Sequence, residues 1–443
     1  MTEQFVPEST DLLQALIRNA CVNDGREESG HEDRSVDTLR QYLGSAGFDV
    51  ETYAARPGRE SLVVRIEGTD PTVPSLLLMG HTDVVPVNPD GWSRDPFGGD
   101  LVDGFVWGRG AVDMLNITAS QAVAMKHLSD SGFRPRGTLI YLAVADEEAR
   151  GTWGAQWLLA NERDAVYADN VITESGGFQV PTSNGPRLPV LVEEKGAFWA
   201  RITTTGVPGH ASQPYKTDNA LITAAEVVRR IAAYNPPAKV SSTWRAFLEG
   251  LEYPPDAVEG LTDPERIDAM LDHLDLGMAR VAHACTHTTF APTVAHGGTK
   301  TNVIPDHVEI DVDVRALPDQ TLPDVHAMFR EALGDLADQV SLEVVDDPGS
   351  RSPMGTPLWD SLSRVSGRLC EGSALVPMTM IAATDNRYFR RAGSVGYGFA
   401  LFSQRLRFED YATMFHGNDE RVDQESLGLS TALWIDVARD LVG

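Results

Sequence analysis

Hydrophobic positions fall into two periods along this chain. Over 9–19, Leu12, Leu13, Leu16 and Ile17 recur at helical spacing behind a Ser/Thr/Asp start signal, which predicts a surface helix. Short β-like runs follow at 62–66, 75–79, 138–145 and 170–173, with helical segments between several of them. Strands alternating with helices predict an α/β sheet.

Near Lys195 the texture changes. Residues 198–202 predict a strand and 219–234 a helix, and 288–295 is again β-like. Val308, Ile310, Val312 and Val314 then alternate with Glu309, Asp311, Asp313 and Arg315, the period of a half-buried strand. A helix at 323–337 and a strand at 341–345 complete the order strand, helix, strand, strand, helix, strand, which is ferredoxin-like. The stretch 236–280 reads as a mostly helical insertion within it. After Pro353 helical and strand-like segments resume. The expected layout is a catalytic domain over 1–195 and 349–443, interrupted by a smaller domain at 196–348.

Length supports this division, since 443 residues exceed the size at which one hydrophobic core usually stops growing. With 42% hydrophobic and 23% charged residues, the composition is that of an ordinary globular protein. Thirty-seven basic against 64 acidic side chains give a formal charge of -27, which repels nucleic acid and anionic membranes and argues against both as partners. Cys21, Cys285 and Cys370 are scattered and form no C-x-x-C pair, so reduced thiols are expected. The start of the chain shows no basic segment followed by an apolar one, and no stretch is long and apolar enough to span a bilayer. A cytoplasmic location is the expectation.

Candidate chemistry gathers where apolar strands stop. Met79-Gly80-His81-Thr82-Asp83 runs from a strand into a histidine, with Asp83 near enough to hold the second ring nitrogen of a metal-ligating imidazole. Asp146-Glu147-Glu148 follows the strand at 139–145, at the carboxyl end where α/β sheets collect ligands. Glu174 follows 170–173, and Asp113 closes Gly108-Arg109-Gly110-Ala111-Val112. His416, in Phe415-His416-Gly417-Asn418-Asp419-Glu420, has acids behind it. Each residue alone reads more readily as a cap, a turn or hydrogen-bonded structure than as a ligand. Together, two imidazoles and several carboxylates form a nitrogen-and-oxygen set suited to zinc, and a shared carboxylate can bridge two ions. His283 and His287 lie four apart, but no H-E-x-x-H glutamate stands between them and they are read as packing residues. The chain has no G-x-S-x-G elbow, no Walker loop and no G-x-G-x-x-G after a strand.

In order, the motifs GHTDVVPV, WGRGAVDM, ADEE, ITESGG, VPGHASQP, GGTKTNVIP, ATDNRYFR and MFHGNDERV resemble the aminoacylase and carboxypeptidase G family, which includes acetylornithine deacetylase and succinyl-diaminopimelate desuccinylase. The resemblance spans nearly the whole chain. It implies a mixed-sheet α/β zinc-peptidase catalytic domain carrying an inserted ferredoxin-like lid and dimerisation domain. It also implies two zinc ions per chain, with cobalt or manganese as possible substitutes. Asp113 would bridge them, with His81 and Glu174 completing one site and Glu148 and His416 the other. Asp83 would orient His81, and Glu147 would act as general base toward a zinc-bound water. His210 resembles the inserted-domain histidine that contacts the tetrahedral intermediate, often in the partner subunit's site, which implies a homodimer. Asn302, Arg315 and Arg387 match positions that hold substrate, and arginine suits a bidentate grip on a carboxylate. Where many members carry a lysine, this chain has Leu115. Thr384-Asp385-Asn386-Arg387 is nearer the aminoacylase version.

The expected activity is metal-dependent hydrolysis of the amide bond of an N-acyl amino acid or small peptide with a free carboxylate. A dipeptidase or carboxypeptidase, and a biosynthetic deacetylase or desuccinylase, are the alternatives. A catalytically silent amino-acid-binding protein of the same fold is a remote third.

Overall fold

The computed structural model describes residues 2–443. The apolar runs become strands β1 (Glu51–Ala54), β2 (Glu60–Ile66), β3 (Leu76–His81), β4 (Leu139–Val144), β5 (Asn170–Thr173) and β6 (Arg187–Glu194). The chain then leaves to build β7 (Ala200–Thr205), β8 (Thr289–Gly297), β9 (His307–Ala316) and β10 (Val340–Val344). It returns with β11 (Ser350–Arg351), β12 (Ala374–Met380) and β13 (Val395–Gly398).

The large sheet is mixed and nine-stranded, in the order β1-β2-β4-β3-β5-β13-β6-β11, with β12 alongside β6. Its centre, β4, β3, β5 and β13, is parallel, so these strands end on one rim. β3, β4 and β5 are buried at every position, which requires cover on both faces. On one face Leu13 and Leu16 of the helix Val6–Asn19, Ile117 and Val123 of Leu115–Asp130, and Trp434 of Gln424–Leu441 pack on Leu76, Leu78 and Tyr141. On the other, Leu158, Val166 and Phe389 cover Leu77, Met79, Ile140 and Leu142.

The second sheet is antiparallel in the order β8-β9-β7-β10. The helices Ala220–Ala233 and Leu322–Leu333 seat Val227, Ile231, Val325 and Phe329 against Ile202, Ile310 and Val312. This is the ferredoxin-like order that the alternating pattern predicts. Its first strand starts later than expected: Gly196–Ala197 pairs with the end of β9, and β7 begins only at Ala200. The chain crosses between the sheets at Gly196 and Gly349, which touch backbone to backbone. An added Cβ at Gly196 would lie 2.8 Å from Gly349 N, so neither position has room for a side chain.

The insertion forms the helices Ser242–Gly250, Pro255–Leu261, Ile267–Leu271 and Leu276–Thr286. Their Trp244, Phe247, Leu248 and Ala282 close a separate core that includes Val376 of β12, with Met378 packed against it. These helices therefore rest on the large sheet although they interrupt the small one in sequence. Lys195 Nζ fastens the last helix by donating to the carbonyls of Ala284 at 2.8 Å and His287 at 2.7 Å. His283 and His287 stack face to face at 4.3 Å, and their outer nitrogens face Asn235 and Asp268, a packing arrangement. Among the described residues, no helix is long and apolar enough to cross a membrane.

Candidate active site

Three of the strands that end on the common rim deliver the acids and one imidazole to a single place. β3 ends in His81, β4 is followed by Asp146, Glu147 and Glu148, and β5 by Glu174. Asp113 comes from the loop before the helix Leu115–Asp130, and His416 from the loop after Phe408–Met414. His81 Nε2 lies 3.3 Å from Asp113 Oδ1 and 3.9 Å from Glu174 Oε2. His416 Nε2 lies 3.3 Å from both Asp113 Oδ2 and Glu148 Oε2. Two groups result, His81–Asp113–Glu174 and Asp113–Glu148–His416, each with donor atoms within 4.8 Å of one another. Asp113 belongs to both, one oxygen facing each way.

Asp83 acts differently from a simple partner of His81. The acceptor for the ring Nδ1–H is the main-chain carbonyl of Asp83, at 2.9 Å, while the carboxylate stands 3.5 Å away. That bond fixes the tautomer and leaves Nε2 facing the acids. The Asp83 carboxylate instead accepts from Glu147 N at 3.2 Å, Glu148 N at 3.0 Å and Asn23 Nδ2 at 2.8 Å. One residue thus places His81 and both neighbouring glutamates.

The charge balance is the site's defining feature. Among the described residues, no lysine or arginine forms a salt bridge with Asp113, Glu148 or Glu174; only the imidazoles do. Burial, and then the charge of Asp113, pushes Glu148 up to about 8, and burial also holds Glu174 well above the usual carboxylate range. Glu147 is pushed up to about 8, again first by burial. Hydrogen bonds to Asp113 and Glu148 raise His416 to about 10. Burial opposes charge on His81, yet Asp113 and Asp83 raise it well above a free imidazole. Buried Glu148 Oε1 also has no hydrogen-bond partner. Buried carboxylates with only imidazoles for company need positive charge, and divalent cations held by oxygen and nitrogen donors supply it. The residues fit a pair of such ions.

Spacing alone could not reveal the supports of this cluster. Glu420 accepts from the backbone N–H groups of Gly110, Val112 and Asp113 at 3.1, 2.7 and 3.0 Å, and from Arg109 Nη1 at 2.8 Å. Arg109 Nη2 donates to Gly417 O at 2.9 Å, so this buried pair ties the Asp113 loop to the His416 loop. Glu420 was visible only as one of the acids behind His416. Asn23, which holds Asp83, carries no sequence signal.

The remaining expected site residues divide into two sets. Arg315 and Arg387 line a cavity of about 440 Å3 beside Asp113, Glu147, Glu148, Glu174 and His416. Arg315 is paired with Asp313 at 2.7 Å. Arg387 is buried, with Nη2 donating to Arg150 O at 2.8 Å and Nε 3.2 Å from Asp347. His210 and Asn302 are exposed neighbours near a two-stranded ribbon, where Ala211 N donates to Asn302 O at 3.1 Å, and neither lines the cavity.

Two donor groups that share the Asp113 carboxylate form a candidate two-metal centre. The model of Peptidase family M20/M25/M40 matches residues 77–440, and the chain belongs to that family. It is a metallo-amidohydrolase. Human aminoacylase-1 is 28% identical over 422 residues, covering 94% of this chain and 91% of that protein. The human N-fatty-acyl-amino acid synthase/hydrolase PM20D1 is 29% identical over 370 residues, covering 82% and 73%. Among solved structures, the M20 family metallo-carboxypeptidase Sso-CP2 from Sulfolobus solfataricus superposes with a TM-score of 0.73 at 16% identity, covering 98% of this chain and 99% of that one.

Because Glu420 aims the backbone that carries Asp113, Glu420→Gln lowers divalent-ion affinity by about 10- to 100-fold. Titration calorimetry on chelator-stripped protein measures this, and an unchanged affinity would contradict the assigned support.

Proposed function

We propose that the chain hydrolyses the amide bond of N-acyl amino acids, or of small peptides with a free carboxylate, using two zinc ions. The observation that carries this reading is the position of Glu147, which lines the same cavity as the two donor groups but belongs to neither. His81, Asp113 and Glu174 would hold one ion, and Asp113, Glu148 and His416 the other. When bound, such ions lower the pKa of water and polarise a carbonyl oxygen.

The chain's own part is proton handling and positioning. Glu147, off the metals and held by Asp83 through its backbone N–H, accepts a proton and passes it to the departing amine. Its burial raises its proton affinity, which suits a group that must both take and return a proton. Arg315 and Arg387 place positive charge at the cavity wall where a substrate carboxylate would rest. The names of the two relatives, an aminoacylase and an N-fatty-acyl-amino acid hydrolase, agree with this substrate class.

The unit at 196–348 serves as lid and dimerisation domain in this reading. His210 does not line its own chain's cavity, and in this reading it serves the site of a second copy, where it donates to the developing oxyanion. Exposed Leu221 and Ile222, on the helix Ala220–Ala233 of this unit, offer apolar surface for that contact. Three unpaired cysteines suit the reducing cytoplasm, where we place the protein.

Two measurements follow. Glu147→Gln lowers kcat on N-acetyl amino acids by about 10²- to 10⁴-fold while retaining both ions, and near-normal turnover would remove the proposed base. Mixing inactive His210→Ala with inactive Asp113→Ala protein restores activity in mixed dimers, where one site receives an intact His210 from its neighbour. A mixture that exchanges subunits yet stays inactive would return His210 to its own chain.

A further inference from the structure

Three arginines line the cavity beside the acids, Arg150, Arg315 and Arg387, and they differ in how far their donors are already taken. Arg387 is buried and held along its whole edge. Its Nη1 donates to Thr384 O at 2.5 Å, its Nη2 to Arg150 O at 2.8 Å and Tyr388 Oη at 3.1 Å, and its Nε lies 3.2 Å from Asp347 Oδ2. Arg315 gives Nε and Nη2 to the two oxygens of Asp313, at 2.7 and 3.0 Å. The Arg150 guanidinium makes a single long hydrogen bond among the described residues, Nη2 to Asp347 Oδ2 at 3.4 Å, and its Nε has no partner.

The backbone at Arg150 does not account for an arginine there. This residue follows the turn that carries Glu147 and Glu148, with φ +79° and ψ +9°, the left-handed region that favours glycine. Its carbonyl accepts from Arg387 Nη2 and, at 2.6 Å, from Tyr388 Oη. Glycine would present the same carbonyl with less strain. What arginine adds is a guanidinium 5.2 Å from the centre of the exposed Trp199 ring, where both side chains line the cavity. Positive charge is also in excess. Arg150, Arg387 and Arg391 all reach the buried Asp347 carboxylate, while Asp385 beside Arg387 adds at most one more negative charge and Glu194 is paired with Arg390.

We infer that Arg150 grips the free carboxylate of the substrate, with Trp199 steadying its guanidinium and Arg387 acting behind it as a positioning residue. The inference rests on the amide-hydrolase reading and names the group that selects for a charged end. A guanidinium meets a carboxylate best through two parallel bonds. Arg387 could offer them only by releasing the Thr384 and Arg150 carbonyls, and Arg315 only by loosening Asp313. Arg150 gives up one long bond. The Trp199 ring limits the motion of the cation, which lowers the entropy lost when a carboxylate binds.

The test compares N-acetylalanine with N-acetylalaninamide, which differ only in the charge at the carboxyl end. Hydrolysis is measured on the metal-loaded wild-type, Arg150→Gly, Arg150→Lys and Arg315→Met proteins, and binding by titration calorimetry on Glu147→Gln with and without Arg150→Gly. The wild type favours the acid. Arg150→Gly suits the backbone and stays folded, and it lowers kcat/KM for the acid by about 10- to 100-fold, mainly through KM, with a matching loss of acid binding. The amide loses far less, so the preference for the acid collapses. Arg150→Lys, which keeps the charge without the fork, restores part of it, and Arg315→Met retains most of it. Melting temperature and metal content verify each variant. Equal losses on acid and amide in Arg150→Gly would reduce Arg150 to a structural role and overturn the inference. So would unchanged acid binding, or a preference that survives Arg150→Gly and disappears in Arg315→Met. Wild-type hydrolysis of both compounds at equal rates would also overturn it and leave the amidohydrolase reading standing. No hydrolysis of either compound, with no binding of either to Glu147→Gln, would overturn both.

Discussion

Asp113 presents one carboxylate oxygen to each of two imidazoles, and the architecture of the site follows from what that requires. Four acidic side chains and two histidines converge there, and among the described residues no lysine or arginine forms a salt bridge with Asp113, Glu148 or Glu174. Bringing them together is unfavourable until positive charge joins them. The fold therefore has to hold these groups by other means, and it does so through backbone. Asp83 grips the N–H groups of Glu147 and Glu148, and Glu420 grips those of Val112 and Asp113.

The parallel centre of the large sheet supplies the geometry. β3, β4 and β5 are buried on both faces and end together, so the residues that follow them meet without further design. Two other loops must then be aligned with that rim, and Arg109 and Glu420 fasten them to each other. The glycine crossings at 196 and 349 bring the smaller sheet beside the cavity, where Ala197, Trp199 and Arg315 join its lining. Both sheets thus contribute to the lining of the cavity.

Much of this was legible in the sequence because it is local. Apolar runs ending in His81, Asp146 and Glu174 mark the sheet and its active rim, and the alternation from Val308 to Arg315 marks a half-buried strand of the smaller one. What escaped is what depends on distant residues. Glu420 meets Arg109 across more than three hundred residues, and Asn23 meets Asp83 across sixty. The use of a carbonyl rather than a carboxylate on His81 is a detail of backbone direction that residue identity does not encode. Likewise, the helical insertion interrupts one sheet in sequence but packs on the other, since its apolar residues pack with Val376 and Met378.

Anomalous diffraction from crystals of the zinc-loaded protein tests whether Asp113 lies between two divalent ions. Two peaks about 3.5–4 Å apart are expected on either side of the Asp113 carboxylate, one beside His81 and Glu174 and the other beside Glu148 and His416. A single peak away from Asp113, or ions bound with that carboxylate turned aside, would contradict that arrangement.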